Sequence, residues 1–170
     1  MQTEFEIKRV SVLAWQAAGI EDLPDYEALA CSGHDLAISI AMMLGIVTPD
    51  SWDALPQEVK TPLTVFAQRI VEERLGMSEF HDLLCESLIA QGYRHGMQDS
   101  EEDHTASVLV PYGDLPPYIR ITDACFEAGV LWMMKERYPA MFDLMPSQNN
   151  EWVAYQTLAF GPEPGASQGH

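Results

Sequence analysis

The chain has 170 residues, the size of one ordinary domain or two very small ones. Hydrophobic residues make up 47% and charged residues 21%, a globular balance that excludes a disordered chain. Acidic residues outnumber basic ones 26 to 9 for a net charge of -17, which excludes direct nucleic-acid binding and anionic membranes as partners, since both need clustered Lys and Arg.

Three cysteines, Cys31, Cys85 and Cys125, are widely separated, and no CxxC pair exists. They read as free thiols in a reducing cytoplasm rather than a disulfide framework or a zinc ribbon. Met1 to Val10 carries Glu4, Glu6, Lys8 and Arg9 without an apolar run, so no standard secretory signal is expected there. The most apolar stretch, Leu36 to Val47, is too short to span a bilayer and reads as a core helix.

In chain order, residues 5–18 predict a helix, broken by Gly19 and the Asp22-Leu23-Pro24-Asp25 cluster. Asp25 is placed to cap a helix from Tyr26 towards Ile46, with Gly33 as a candidate break and Leu29, Leu36, Ile40, Met43 and Leu44 as its apolar side. Residues 50–60 predict a short helix or turn around Trp52 and Leu55. Thr61-Pro62 marks a helix start, with Leu63, Phe66, Ile70 and Val71 as its stripe and Leu75-Gly76 as its stop. Ser78 opens the next helix, carrying Phe80, Leu83, Leu84, Leu88 and Ile89, and Gly92 closes it. From Tyr93 to Pro117 three prolines, two glycines and an acidic run predict a structured loop region with a short strand at Val108-Leu109-Val110. A helix from Thr122 to Tyr138 follows, blunted by Pro139, and a last short helix holds Trp152, Tyr155 and Leu158. Gly161 to His170 reads as a flexible tail, and no internal repeat is apparent.

Several side-chain groups invite a chemical reading. His81 and Cys85 share a helix face at a spacing of four, which suits two metal ligands but lacks the rest of a site, so core packing is favoured. The run Asp99, Glu101, Glu102, Asp103, His104 lacks the turn glycine of a calcium loop and reads as a solvated acidic loop. Cys31, His34 and Asp35 resemble a nucleophile–base set, with no sharp turn to present the thiol. No GxSxG, GxxxxGKT or HExxH motif is present. Tyr93, Arg94, His95, Tyr112, Tyr118 and Arg120 lie among prolines, and rigid loops with aromatics and a few cations suit a planar or anionic small ligand.

The segment His81 to Asp123 carries an ordered set of residues: His81 eleven positions before Gly92, then Gly92-Tyr93-Arg94-His95-Gly96, Asp99, Leu109-Val110-Pro111-Tyr112, Leu115, Arg120 and Asp123. Without a gap, this set resembles the ryanodine-receptor repeat domain, a module found in tandem in calcium-release channels and alone in bacterial and phage proteins. The resemblance spans residues 78–133. Two positions depart from the family: Tyr93 stands for its Trp and His95 for its second aromatic. Asp103 to Ser107 also lacks the family's Lys-x-His-Pro.

The resemblance implies a mainly α fold with a small β element (α+β), a compact helical domain with a Pro-rich structured loop. It also implies a module without a catalytic role, proposed in prokaryotes to sense nucleotide-like ligands in conflict systems. The expected organisation is an N-terminal helical region over residues 1–76 and a repeat-like part over 77–138 packed on it as one core. A short C-terminal helix within 139–160 and a tail over 161–170 complete it.

The functional expectation is a cytoplasmic, non-enzymatic ligand-binding or protein-interaction module without cofactor or metal. Its expected site comprises His81, Tyr93, Arg94, His95, Asp99, Tyr112, Arg120 and Asp123. Tyr93 and Tyr112 would stack on a ring, Arg94 and Arg120 would meet an anionic group, and His81 and His95 would orient it. Two alternatives are an acidic decoy for a basic, nucleic-acid-binding protein and a small metal-assisted hydrolase using His81, Asp99 or His104.

Overall fold

The computed structural model describes residues 9–46 and 50–145. Their helices are α1 (Val10–Ala17), α2 (Tyr26–Met43), α3 (Gln57–Glu73), α4 (Met77–Ala90), α5 (Pro117–Arg137) and α6 (Pro139–Asp143). Two short strands, β1 (Arg94–His95) and β2 (Thr105–Ala106), pair in parallel with Arg94 opposite Thr105. The fold is therefore mainly α with a small β element, as the sequence predicts. No helix among the described residues is long and apolar enough to cross a membrane.

The core is one cluster drawn from both halves of the chain. Val12 and Trp15 of α1, Leu29 and Ala30 of α2, Ala67, Ile70 and Val71 of α3, and Val130, Leu131 and Met134 of α5 pack together. Trp15 buries its ring and donates its indole N–H to the Met141 carbonyl at 2.8 Å, fastening α6 to α1.

The closest packing joins α2 to α5. Gly33 does not break α2; it lets α5 approach. A Cβ at Gly33 would lie 2.7 Å from the Phe126 carbonyl oxygen, and one at Gly129 would lie 2.6 Å from that of Ser32. The core side of α2 is therefore Leu29, Ala30, Gly33, His34 and Ala41, whereas Leu36, Met43 and Leu44, expected on the apolar side, are exposed. At one end Asp25 caps α2 by accepting from the Ala28 N–H at 3.1 Å, and its own N–H donates to the Tyr138 hydroxyl at 3.0 Å.

Several element boundaries differ from expectation. The predicted helix over 5–18 is observed as α1, with residues 1–8 outside the described residues. Helix α3 starts at Gln57, because Pro56 already supplies the fixed φ of a helix entry, and Pro62 lies exposed inside it. Helix α4 starts at Met77, with the Glu79 carboxylate accepting from the Gly76 N–H at 3.0 Å. Helix α5 starts at Pro117 rather than Thr122, with proline at its first position. Val108-Leu109-Val110 is a turn, not a strand: the Val110 N–H donates to the Val108 carbonyl at 2.8 Å. The predicted helix at Trp152–Leu158 and the 161–170 tail lie outside the described residues.

A construction repeats, although the sequence shows no obvious repeat. In α2, His34 Nε2 meets the Asp50 carbonyl at 2.9 Å, and its ring lies edge-on to Trp52 with centroids 5.7 Å apart. In α4, His81 Nε2 meets the Val110 carbonyl at 2.7 Å, and its ring lies 5.7 Å from that of Tyr112. Each aromatic starts a 3-10 turn (Trp52–Ala54, Tyr112–Asp114), followed by Leu-Pro (Leu55-Pro56, Leu115-Pro116) and then a long helix. In both, a loop carbonyl satisfies the N–H of a buried histidine, which burial would otherwise leave costly.

A buried carboxylate ties α1, α2 and α3 together. Glu72 is 3% exposed, accepts both Arg9 Nε at 2.8 Å and Nη2 at 2.9 Å, and takes the Tyr26 hydroxyl at 2.6 Å and Gln68 Nε2 at 3.2 Å. Burial pushes its pKa up, but the bonds from Arg9, Tyr26 and Gln68 outweigh burial and hold it below the ordinary carboxylate value. A depressed carboxylate stabilises the fold above its unfolded pKa, and the contribution vanishes as pH falls through the folded value. Glu72→Gln should therefore cost about 1.5 kcal/mol at neutral pH. Urea midpoints of both proteins, measured from about pH 6 to about pH 3, should converge at the acid end.

Candidate functional site

Helix α4 and the loop after it build the candidate site. Gly92, at φ 88, ends α4 in a left-handed turn that suits glycine, and the chain doubles back. The Arg94 N–H donates to the His104 carbonyl at 2.9 Å, and Ser100 and Thr105 exchange both backbone bonds at 2.9 Å each. Gly96 passes so close to Thr105 that an added Cβ would lie 2.6 Å from that residue's Cβ. The acidic run thus has a defined shape: Asp99 Oδ1 accepts from the Ser107 N–H at 2.6 Å, and the Ser100 hydroxyl donates to Asp103 Oδ2 at 3.2 Å. Those bonds from Ser107 hold Asp99 below the usual carboxylate range.

Between α4 and this loop lies an open groove of about 370 Å³. Leu84 and Leu88, one turn apart on α4, form its apolar lining with Ala106 and Val108. Tyr93 borders it, with its ring 5.3 Å from that of His104. Asp99 and Glu101, both exposed, stand at its margin.

The eight residues selected from sequence fall into three environments. Tyr93 and Asp99 line the groove. His81, Tyr112 and Asp123 form a more interior cluster at the junction of α4, the Pro-rich turn and α5. Arg94 and His95 are exposed on β1. Arg120 is half-buried on α5, and its Nε has no hydrogen-bond partner among the described residues. The expected grouping of both arginines with His81 and His95 around one anion is not among the contacts described.

The interior cluster fixes the loop's base. A carbonyl oxygen only accepts, so His81 carries its proton on Nε2 and donates it to Val110. Cys85 Sγ lies 3.3 Å from the same nitrogen and 3.7 Å from the Val108 carbonyl. Burial, with the charge of Asp82, raises the Cys85 thiol above its ordinary value. A thiol nucleophile would need that nitrogen free to accept its proton, and here the nitrogen is a donor to Val110. Likewise His34 serves Asp50, while Cys31 Sγ lies 3.7 Å from Asp35 Oδ2. Among the described residues, no group of three or more His, Cys, Asp or Glu could hold a metal ion.

Asp123 is the most perturbed acid of the cluster. Burial pushes its carboxyl up to about 6, against the lowering influence of His81. A raised acid favours the protonated folded state, so its contribution is full below the unfolded pKa and is lost as pH rises through about 6. Asp123→Asn should raise stability at pH 7.5 by about 1 to 2 kcal/mol, with little change near pH 4. Thermal unfolding at the two pH values checks this.

Sequence reasoning passed over the groove's apolar lining: Leu84 and Leu88 read as apolar positions of a helix, Val108 as part of a short strand and Ala106 as loop. Their signal was a leucine pair at i, i+4 directly before a loop rich in small and polar residues. No protein-family model matches the chain, and no curated protein is significantly similar to it.

Proposed function

We propose that this chain is a non-catalytic binding module of the ryanodine-receptor-repeat type, working in the cytoplasm, whose recognition site is the groove between α4 and the 93–108 loop. The observation that supports this most is the groove's make-up: a largely half-buried apolar lining shared by α4 and a hydrogen-bonded loop, an aromatic side and a margin of carboxylates. The order of motif residues from His81 to Asp123 supports the family assignment. Engagement of His81 by Val110 and of Asp99 by Ser107 supports structural roles for these groups rather than proton transfer.

A thermal-shift screen of the full chain tests the reading, using nucleotides, cyclic oligonucleotides, nicotinamide dinucleotides and short peptides of both charges. A compound that binds only the folded state raises Tm by mass action. The expected rise is lost in Leu88→Gln and kept in Ile89→Gln, because Leu88 lines the groove and Ile89 is exposed without lining it. A rise indifferent to Leu88→Gln, or none with any compound, contradicts the proposal.

A further inference from the structure

The groove's occupant can be narrowed by its shape and its unspent acceptors, taking the groove as the recognition site proposed above. A small-molecule pocket encloses most of its ligand's surface. This depression is open, which suits one side chain held out by a larger partner. Its apolar lining offers van der Waals contact to a hydrocarbon stem, and Tyr93 offers a ring face to a cation. At the margin, the Glu101 carboxylate has neither a hydrogen bond nor an ion pair among the described residues, and Asp99, held in place by Ser107, stands exposed beside it. Between Gly92 and Leu115 five carboxylates stand against a single arginine, Arg94, which does not line the groove.

We infer that the groove receives an arginine or lysine side chain of a partner protein, presented beside an apolar residue. The stem lies along Leu84 and Leu88, and the cationic head sits between the Tyr93 ring and the carboxylates of Asp99 and Glu101. The net charge of -17 would attract such a segment and discriminate against acidic ones, and the carboxylates of Asp99 and Glu101 would direct it to this groove.

The test is calorimetric titration of the full chain with an acetylated, amidated peptide alternating leucine and arginine. Two matched peptides replace arginine by citrulline or by glutamate. The arginine peptide is expected to bind about fivefold or more tightly than the citrulline peptide, and the glutamate peptide not measurably. Glu101→Gln should weaken the arginine peptide by a comparable factor and Leu88→Gln should abolish its binding. Glu136→Gln, an exposed acid on α5 distant in sequence from the groove, should leave it within about twofold. Equal binding of all three peptides with loss in Leu88→Gln would keep the groove and overturn the cationic occupant. Equal weakening by Glu101→Gln and Glu136→Gln would reduce the effect to overall charge and overturn the inference. No binding by any peptide would overturn the inference, and a nucleotide whose binding is lost in Leu88→Gln would overturn it in favour of an anionic occupant.

Discussion

Gly129→Ala is expected to destabilise the protein by about 3 kcal/mol, lowering Tm by roughly 10 °C. In a free helix, alanine would be better than glycine by about 1 kcal/mol, so the sign here is set entirely by packing. The added methyl group would meet the Ser32 carbonyl oxygen at 2.6 Å and the Gly33 Cα at 2.8 Å, both backbone atoms that cannot swing aside. Helix α2 would have to move off α5 along their whole contact, and Leu29, Val130 and Met134, all fully buried, lie in the same core cluster. Gly33→Ala should behave alike, since its Cβ would meet the Phe126 carbonyl at 2.7 Å. Gly113→Ala, with nothing within 4 Å, should change stability by less than about 0.5 kcal/mol. Urea denaturation of the three variants reads these differences, and a Gly129→Ala protein as stable as the parent would contradict the close α2–α5 approach.

His81→Ala is expected to cost a similar amount, about 3 kcal/mol, and to do more to the site than to the core. The imidazole is 3% exposed and donates to Val110 at 2.7 Å, so its loss leaves a cavity and removes the bond that ties α4 to the loop. Val110 is two residues from Val108 of the groove and two from Tyr112 of the turn, so freeing it loosens both. Hydrogen exchange should then accelerate at the amides of Ser100, Thr105 and Ser107 while those of α3 keep their protection. His81→Gln, which can still donate, should recover part of the loss. His34→Ala should cost about as much but spare the loop, because its partner is Asp50 in the first copy of the device. Loop amides as protected in His81→Ala as in the parent would show that this bond does not hold the site.

Much of the helical framework was legible because capping and punctuation are local. Asp25, Gly92 and Pro139 acted where their chemistry predicts. Helix starts at prolines were misplaced by four or five residues because Leu-Pro precedes each helix, and the first proline, not a later Thr, sets the entry. The side of α2 that packs was misread because its contact runs through Gly33 and Ala30, small residues that hydropathy undervalues, while Leu36 and Met43 stay exposed. Trp52-x-x-Leu55-Pro56 and Tyr112-x-x-Leu115-Pro116 did carry the duplicated device, but their histidines lie 18 and 31 residues upstream, so no fixed period marks it. The groove was the least legible feature. It depends on a nine-residue connection between parallel strands, shorter than such crossovers usually are, whose shape is set by side-chain and backbone bonds that no hydropathy period marks.

The proposed recognition surface is the groove between α4 and the 93–108 loop. The most direct measurement is amide chemical-shift mapping of the 15N-labelled full chain, titrated with benzamidine and separately with benzoate, which share a ring and differ in charge. Saturable shifts centred on Leu84, Leu88, Tyr93, Ala106 and Val108 are expected with benzamidine, and much smaller ones with benzoate. Shifts centred elsewhere, such as the exposed Met42–Leu44 end of α2 or Trp132 on α5, or none at the groove with either compound, would contradict it.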